Sequence, residues 1–521
     1  MPHISGFVVL VVLALTASLF FTKDRVRHVI GNITLLACTL GTLLFFQQLI
    51  GGESRLARSQ ALATAEHAES TLKLMTNVNI GISKFYELFG SLKDSKGQEH
   101  SAIEVSSSGL NEYFKKTESA LKEVIADRPE DNVAKAKLVL LLNTWGKHAD
   151  LMKSTCEQLR SCKEEPDHEL GRILWLTCVE KSSAEKPAIE PSKKIIESKL
   201  MKGWYRDQAF LALYKDSADR QSFLKFAREI EDKCMSGFCL GICLFTIGGM
   251  SAFVGLVVII IHLGTLARKE APPVPDESNF HLNVSYRTIY AVFVGWMCSQ
   301  LGIAELMKSM PKNLFSLGSN PVGICLFSFV SYTITMLPAL ILIYLLAVKP
   351  AGVSFWHAMR VRFETSTAGP FKLMLYGYLS WSAIIPCVLV MAIASTTIGS
   401  QGSDNPVLAQ IAAIAGSRDL VAITILLSTV AVLAPICEEI IFRGFLYSAL
   451  RYKIGVLPAV LISAFIFAGI HCDLGGMLML LGLGPVLALA LERTRSLVPS
   501  MIAHGLWNGG SFAFALATYF N

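Results

Sequence analysis

The sequence predicts an all-α, polytopic membrane helical bundle of about ten spans, with a soluble all-helical domain inserted near its start. Three observations carry this reading. Of the 521 residues, 52% are hydrophobic and only 17% charged, where soluble domains carry about 25% charged residues. Apolar runs close to the ~20 residues needed to cross a bilayer recur along the chain. Between the second and third runs lies a long polar stretch with helical periodicity, residues 51–237.

The apolar runs fall at 5–22, 29–50, 238–266, 286–307, 321–348, 371–396, 419–441, 455–472, 474–491 and 497–519. The first lacks a basic leading region and a small-x-small cleavage site, so it reads as a retained span. With the second it forms a two-span hairpin, 1–50. Loop arginines and lysines set orientation. Lys23, Arg25 and Arg27, then Arg268 and Lys269, Lys349, Arg360 and Arg362, Arg451 and Lys453, and Arg493 and Arg495 all fall on one side if every run spans. Lys308 and Lys312 are the exceptions. Both termini and residues 51–237 are then expected outside the cytoplasm.

Within 51–237, Ala61 to Leu92 is helical in period, and the stretch from Leu121 reads as helix, turn, helix, with Pro129 and Asp131 as stop and restart. The pattern is weakly TPR-like, and a plain bundle is the other reading. His67, His100, His148 and His168 are scattered and suggest no site there. A single span at 238–267 leads to a Pro-rich linker, 268–285, and residues 286–521 form the remaining module. Residues 349–371, with Trp356, His357, Arg360 and Arg362, read as an amphipathic stretch along the interface.

Composition also excludes. No basic tract is dense enough for nucleic acid. Twelve cysteines form no CxxC pair, which argues against a zinc ribbon. Cys156, Cys162, Cys178 and Cys234 lie in the polar stretch, where pairing is open to them if it is extracytoplasmic.

The chemistry-bearing residues lie in the apolar spans. Glu438-Glu439-Ile-Ile-Phe-Arg443 is followed by Phe467-x-x-x-His471 and His504-x-x-x-Asn508, each on its own span. Ionisable residues at membrane depth are costly and functional by default. Glu439 and Arg443, four apart, share a helix face and can pair. Glu438 points about 100° away and is free to face a wet cavity as a base for water. The two glutamates' roles are open to reversal. His471 can share that water, and His504 with Asn508 can donate to an oxyanion. Taken singly, each has a bland reading: a structural ion pair, an interfacial histidine, or interhelical hydrogen bonds. By helical rise His471 comes out deeper than the others, so the eighth span must tilt or start late.

Taken together and in this order, the three motifs resemble the CPBP family, the CAAX prenyl proteases and bacteriocin-processing enzymes also called Abi proteins. The resemblance covers roughly the last 110 residues closely, the last 240 loosely, and none of the first 270. It implies an intramembrane endopeptidase with Glu438, Glu439, His471, His504 and Asn508 as catalytic residues, supported by Arg443 and Phe467. It leaves metal open. The metalloprotease label implies zinc, for which Glu438, His471 and His504 are the candidates, while a glutamate-activated water needs none. HExxH, GxGD and rhomboid-type GxSG are absent. The implied partners are membrane lipid and a peptide or protein substrate, with a protein partner open for the helical domain. The extra domain, unlike the eukaryotic prenyl-protein enzymes, points to a bacterial inner membrane. The competing reading is an inactive scaffold or immunity protein.

Overall fold

The computed structural model describes residues 110–180, 185–200, 204–216, 220–267, 284–309, 320–365, 368–397, 419–471 and 476–519, with scattered positions in 69–81 and 410–414. The hairpin expected at 1–50 and nearly all of the linker expected at 268–285 lie outside them. The described residues are helical with no strand; one isolated antiparallel bridge joins Thr365 and Ala368. They fall into two compact units that divide inside one long helix, between Phe245 and Thr246.

The first unit contains α1 (Asn111–Asp127), α2 (Asn132–Trp145), α3 (Ala149–Arg160), α4 (Glu165–Leu174), α5 (Ile189–Lys199), α6 (Trp204–Asp216) and the start of α7 (Arg220–Ala267). Between α1 and α2 the chain turns where the sequence places a stop and restart. The Asp131 side chain accepts from Ala134 N at 2.9 Å and caps α2. Leu138, Val139, Leu140, Leu141 and Leu142 are all buried, so α2 is apolar all round and central. It packs on α1, α3, α4 and α6. The α3 and α4 backbones meet at Gly171, where a Cβ would stand 2.7 Å from Arg160 N. Cys156, Cys162, Cys178 and Cys234 are unbridged thiols. Burial pushes the Cys156 thiol up to about 12, which keeps it protonated and inert.

The second unit contains the rest of α7, then α8 (Tyr286–Ser309), α9 (Pro321–Ile343, running on through a π turn to Ala351), α10 (Phe355–Ala358), α11 (Pro370–Thr397), α12 (Leu420–Ile454), α13 (Val456–Ile470), α14 (Met477–Thr494) and, as far as Phe512, α15 (Val498–Tyr519). Among the described residues five helices are long and apolar enough to cross a membrane: Gln221–Thr265, Pro321–Ala351, Pro370–Ser395, Leu420–Ile454 and Met477–Thr494. Phe245, Met250, Phe253, Ile260 and Ile261 of α7 are exposed, a surface only lipid tolerates. The protein is an integral membrane protein.

Two expectations change. The span expected at 455–472 is α13, with 15 helical residues. At 1.5 Å per residue it reaches about 22 Å, short of the ~30 Å hydrocarbon core. The span expected to end at 441 runs to Ile454, because Arg443 is fully buried rather than close to an end. Along the amphipathic stretch at 349–371, α9 ends at Gly352 (φ 68), Ser354 caps the four-residue α10, and turns follow.

Inside the second unit α14 lies between α11 and α13, and α9 packs on α8 and on the start of α12. The buried core runs through Phe442, Phe445, Tyr447, Phe467, Leu483, Leu487 and Leu491. Gly482 and Gly484 let α14 approach its neighbours; at Gly484 a Cβ would stand 2.7 Å from that of Ala464.

Candidate active site

The motif helix α12 is not a plain α-helix. Asp419 caps its start, accepting from Val421 N at 2.9 Å and Ala422 N at 3.2 Å. Thr429–Leu433 and Ile440–Tyr447 are π-helical, flanking an α segment that holds both glutamates. In the first π turn Ala434 N–H reaches Thr429 O, five residues back. The next bond in that register would run from residue 435 to Val430 O. Residue 435 is proline and has no N–H. Asn508 of α15 supplies the donor instead, with Nδ2 at 3.0 Å from Val430 O. One residue on, a Cβ at Gly505 would stand 2.6 Å from Ala431 O, so only glycine lets α15 lie this close. In the second π segment, Ser463 Oγ donates to Phe442 O at 3.2 Å and Ser448 Oγ to Arg443 O at 3.0 Å. π segments recur at functional sites, and here side chains serve the carbonyls they free.

Glu439 and Arg443 are wholly buried and paired, Oε1 to Nη1, at 2.8 Å. The same Oε1 lies 2.8 Å from His504 Nδ1. Arg443 Nη2 donates to Gly484 O at 3.3 Å, and its guanidinium lies 4.3 Å from the Phe467 ring centroid. Glu439 Oε2 and Arg443 Nε are buried without a partner. Glu438 sits apart, with 12% of its side chain exposed. Its Oε1 accepts from the Tyr332 hydroxyl at 2.8 Å, and its Oε2 lies 3.7 Å from His504 Nε2. His504 therefore stands between the two glutamates, one ring nitrogen toward each.

A carboxylate only accepts, so the 2.8 Å contact puts the proton of a neutral His504 on Nδ1 and leaves Nε2 as a lone pair facing Glu438. At 3.7 Å, Nε2 and Oε2 do not bond directly. Both are acceptors turned toward one gap.

The other expected residues are placed differently. Phe467 is a hub: its ring centroid lies 5.1 Å from Phe442, 4.9 Å from His471 and 5.9 Å from His504. His471, exposed at the end of α13, has Nδ1 2.7 Å from Phe467 O, and its partners among the described residues are on Phe467. Among the described residues it makes no direct hydrogen bond to either glutamate. Asn508 spends one amide hydrogen on Val430. Tyr332, in α9 and 106 residues before Glu438, was not foreseen. A tyrosine in an apolar span carries no spacing signal toward a glutamate on another helix.

Among the described residues no three His, Cys, Asp or Glu side chains gather where they could hold a metal ion. Glu438, His471 and His504 do not form such a set, and Glu439 already carries the Arg443 charge. Among the described residues these donors do not fit zinc.

A second buried polar group went unread. Glu492 of α14 accepts from Tyr447 Oη at 2.8 Å, Arg451 Nε at 2.6 Å and Arg495 Nη1 at 3.2 Å. It ties the ends of α12 and α14 together.

With this geometry in view, the family comparison is specific. Residues 420–510 match the family model for type II CAAX prenyl endopeptidase Rce1-like proteins. The Rce1-like stretch runs from the start of α12 into α15 and contains all three motifs, at the C-terminal location where the motif resemblance lies. The chain is also similar to "Putative membrane peptidase YdiL" of Bacillus subtilis (strain 168), with 33% identity over 87 residues. That alignment covers 17% of this chain and 36% of the relative's length. No solved structure matches the chain.

Proposed function

We propose that the chain is an intramembrane endopeptidase whose catalytic module is residues 286–521. The supporting observation is His504 held between a buried, charge-paired Glu439 and a partly exposed Glu438. The Rce1-like match over the same helices agrees with it. Glu438 is the general base. A water between Glu438 Oε2 and His504 Nε2 donates one hydrogen to each, which turns its lone pairs outward toward a peptide carbonyl. Glu438 takes the proton as the carbon–oxygen bond forms and returns it to the leaving amine. Tyr332 holds Glu438 Oε1, so that Oε2 faces the water. Glu439, fixed by Arg443, holds the His504 tautomer. The second amide hydrogen of Asn508 is the donor for the oxyanion, and His471 lines the exposed rim where substrate enters.

The substrate is a membrane or exported peptide. The home is a bacterial inner membrane, with residues 51–237 outside the cytoplasm, as the loop charges suggest. The test is turnover of a membrane-peptide library by purified full-length protein, with and without chelator. Cleavage that survives chelator and vanishes in Glu438→Gln is the expected result. Unchanged cleavage in that variant would remove Glu438 from the mechanism.

A further inference from the structure

Four arginines gather at the end of the membrane unit away from Glu438. Arg360 follows α10, with Arg362 two residues on; Arg451 is in the last turn of α12, and Arg495 follows α14. Leu497 N donates to Arg360 O at 2.9 Å, and Ser496 Oγ to Arg362 O at 2.5 Å, which fixes one segment against the other. Arg360 (φ 57) and Arg495 (φ 56) are both left-handed. A long side chain adopts that conformation at a cost, and such positions cluster at ligand clamps. Here they flank the same backbone hydrogen bond.

Among the described residues cations outnumber carboxylates around Arg360. The groups acting on Arg360 are Arg495, Arg451, Glu492 and Arg362, three cations and one carboxylate. Glu492 is already bonded to Tyr447, Arg451 and Arg495. Arg360 Nη1 is buried and has no hydrogen-bond partner. Burial first, then Arg495 and Arg451, push its guanidinium below the ordinary arginine range. An anion with several acceptor oxygens satisfies such a cluster, and the guanidinium fork matches phosphate.

We infer that Arg360, Arg362, Arg451 and Arg495 bind the phosphate of an anionic membrane lipid. The lipid source follows from position. Arg451 closes a helix that can cross the membrane, and Arg495 directly follows another. Exposed Trp356 and Phe363 lie on the same segment as Arg360 and provide an interfacial apolar surface for the acyl boundary. Basic pockets between membrane helices take lipid headgroups in this way.

Native mass spectrometry of the full-length protein, released from bilayers of equal phosphatidylcholine and phosphatidylglycerol, tests the site. Retained phosphatidylglycerol should exceed phosphatidylcholine, and Arg360→Gln should reduce it about five-fold, the effect of one basic group at an anionic surface. Arg128→Gln, an exposed arginine of the helical unit, should leave it unchanged. Should Arg360→Gln not yield folded protein, Arg362→Gln serves, with the same loss expected. Equal retention in the wild type and a folded site variant overturns the proposal. Inorganic phosphate that displaces the retained lipid, or that matches its stabilisation in pure phosphatidylcholine, overturns the lipid assignment in favour of a free phosphate.

Discussion

His504 Nδ1 lies 2.8 Å from Oε1 of Glu439, the same oxygen that Arg443 holds. Glu439 is therefore engaged from two sides, and Glu438 alone of the pair is left facing the partly exposed gap. The sequence left the roles of the two glutamates open. Their surroundings differ: Glu439 is buried and paired with Arg443, and Glu438 is partly exposed.

Glu438→Gln keeps the size of the side chain and a hydrogen-bonding partner for Tyr332 but removes the base. Turnover should fall by about 10²–10⁴-fold. The melting temperature in detergent should stay close to that of the wild type, because Glu438 is not part of the buried pair.

Glu439→Gln strands Arg443 in the core. Removing one partner of a buried ion pair costs about 3–5 kcal/mol. The melting temperature should drop along with activity. A Glu439→Gln protein as stable as the wild type would show that Arg443 finds another counter-charge.

Tyr332→Phe deletes one hydroxyl and one hydrogen bond to a carboxylate, worth about 1.5–3 kcal/mol. If all of it is lost from the transition state, kcat should fall by roughly ten- to a hundred-fold, with KM little changed. A raised KM with unchanged kcat would move Tyr332 from positioning the base to binding substrate.

Asn508→Ala leaves Val430 O without a donor, at a cost of about 1–3 kcal/mol. Pro435→Ala restores the N–H that this carbonyl lacks. Combining the two should recover most of the stability lost by the Asn508 variant, and a thermal double-mutant cycle measures the coupling. Strictly additive losses would mean that Pro435 is not the reason for Asn508's position. If Asn508 also serves an oxyanion, activity will stay low in the double variant after stability returns.

Sequence reading reached what periodicity encodes. The four-residue step from Glu439 to Arg443 gives an ion pair on any helix, and Asp131 after Pro129 gives a turn and a cap. It reached less where distance in the chain is large. Tyr332 meets Glu438 because α9 packs on α12, and nothing in either segment states that pairing. Glu492 was hidden among the apolar residues of α14, with its arginine partners assigned to loops. The π segments were also out of reach, because hydrophobic periodicity over a few residues does not distinguish one inserted residue. Its spacing from Phe467 also leaves the direction of the His471 ring unstated. The structure turns its Nδ1 back onto Phe467 of its own helix.

The partners of Arg443 have a consequence for how the chain is made. Gly484 is 41 residues downstream of it, and His504 is 65 residues downstream of Glu439. At about 5–20 residues per second, a ribosome takes roughly 3–13 s to supply the last of them. Until then α12 carries Glu438, Glu439 and Arg443 with only part of their final environment, and such residues near a helix centre disfavour insertion by about 2.5–3.5 kcal/mol each. The contacts that Arg443 and Glu439 make with Gly484 and His504 can therefore form only after α14 and α15 have been synthesised, whereas the Glu439–Arg443 pair is complete within α12.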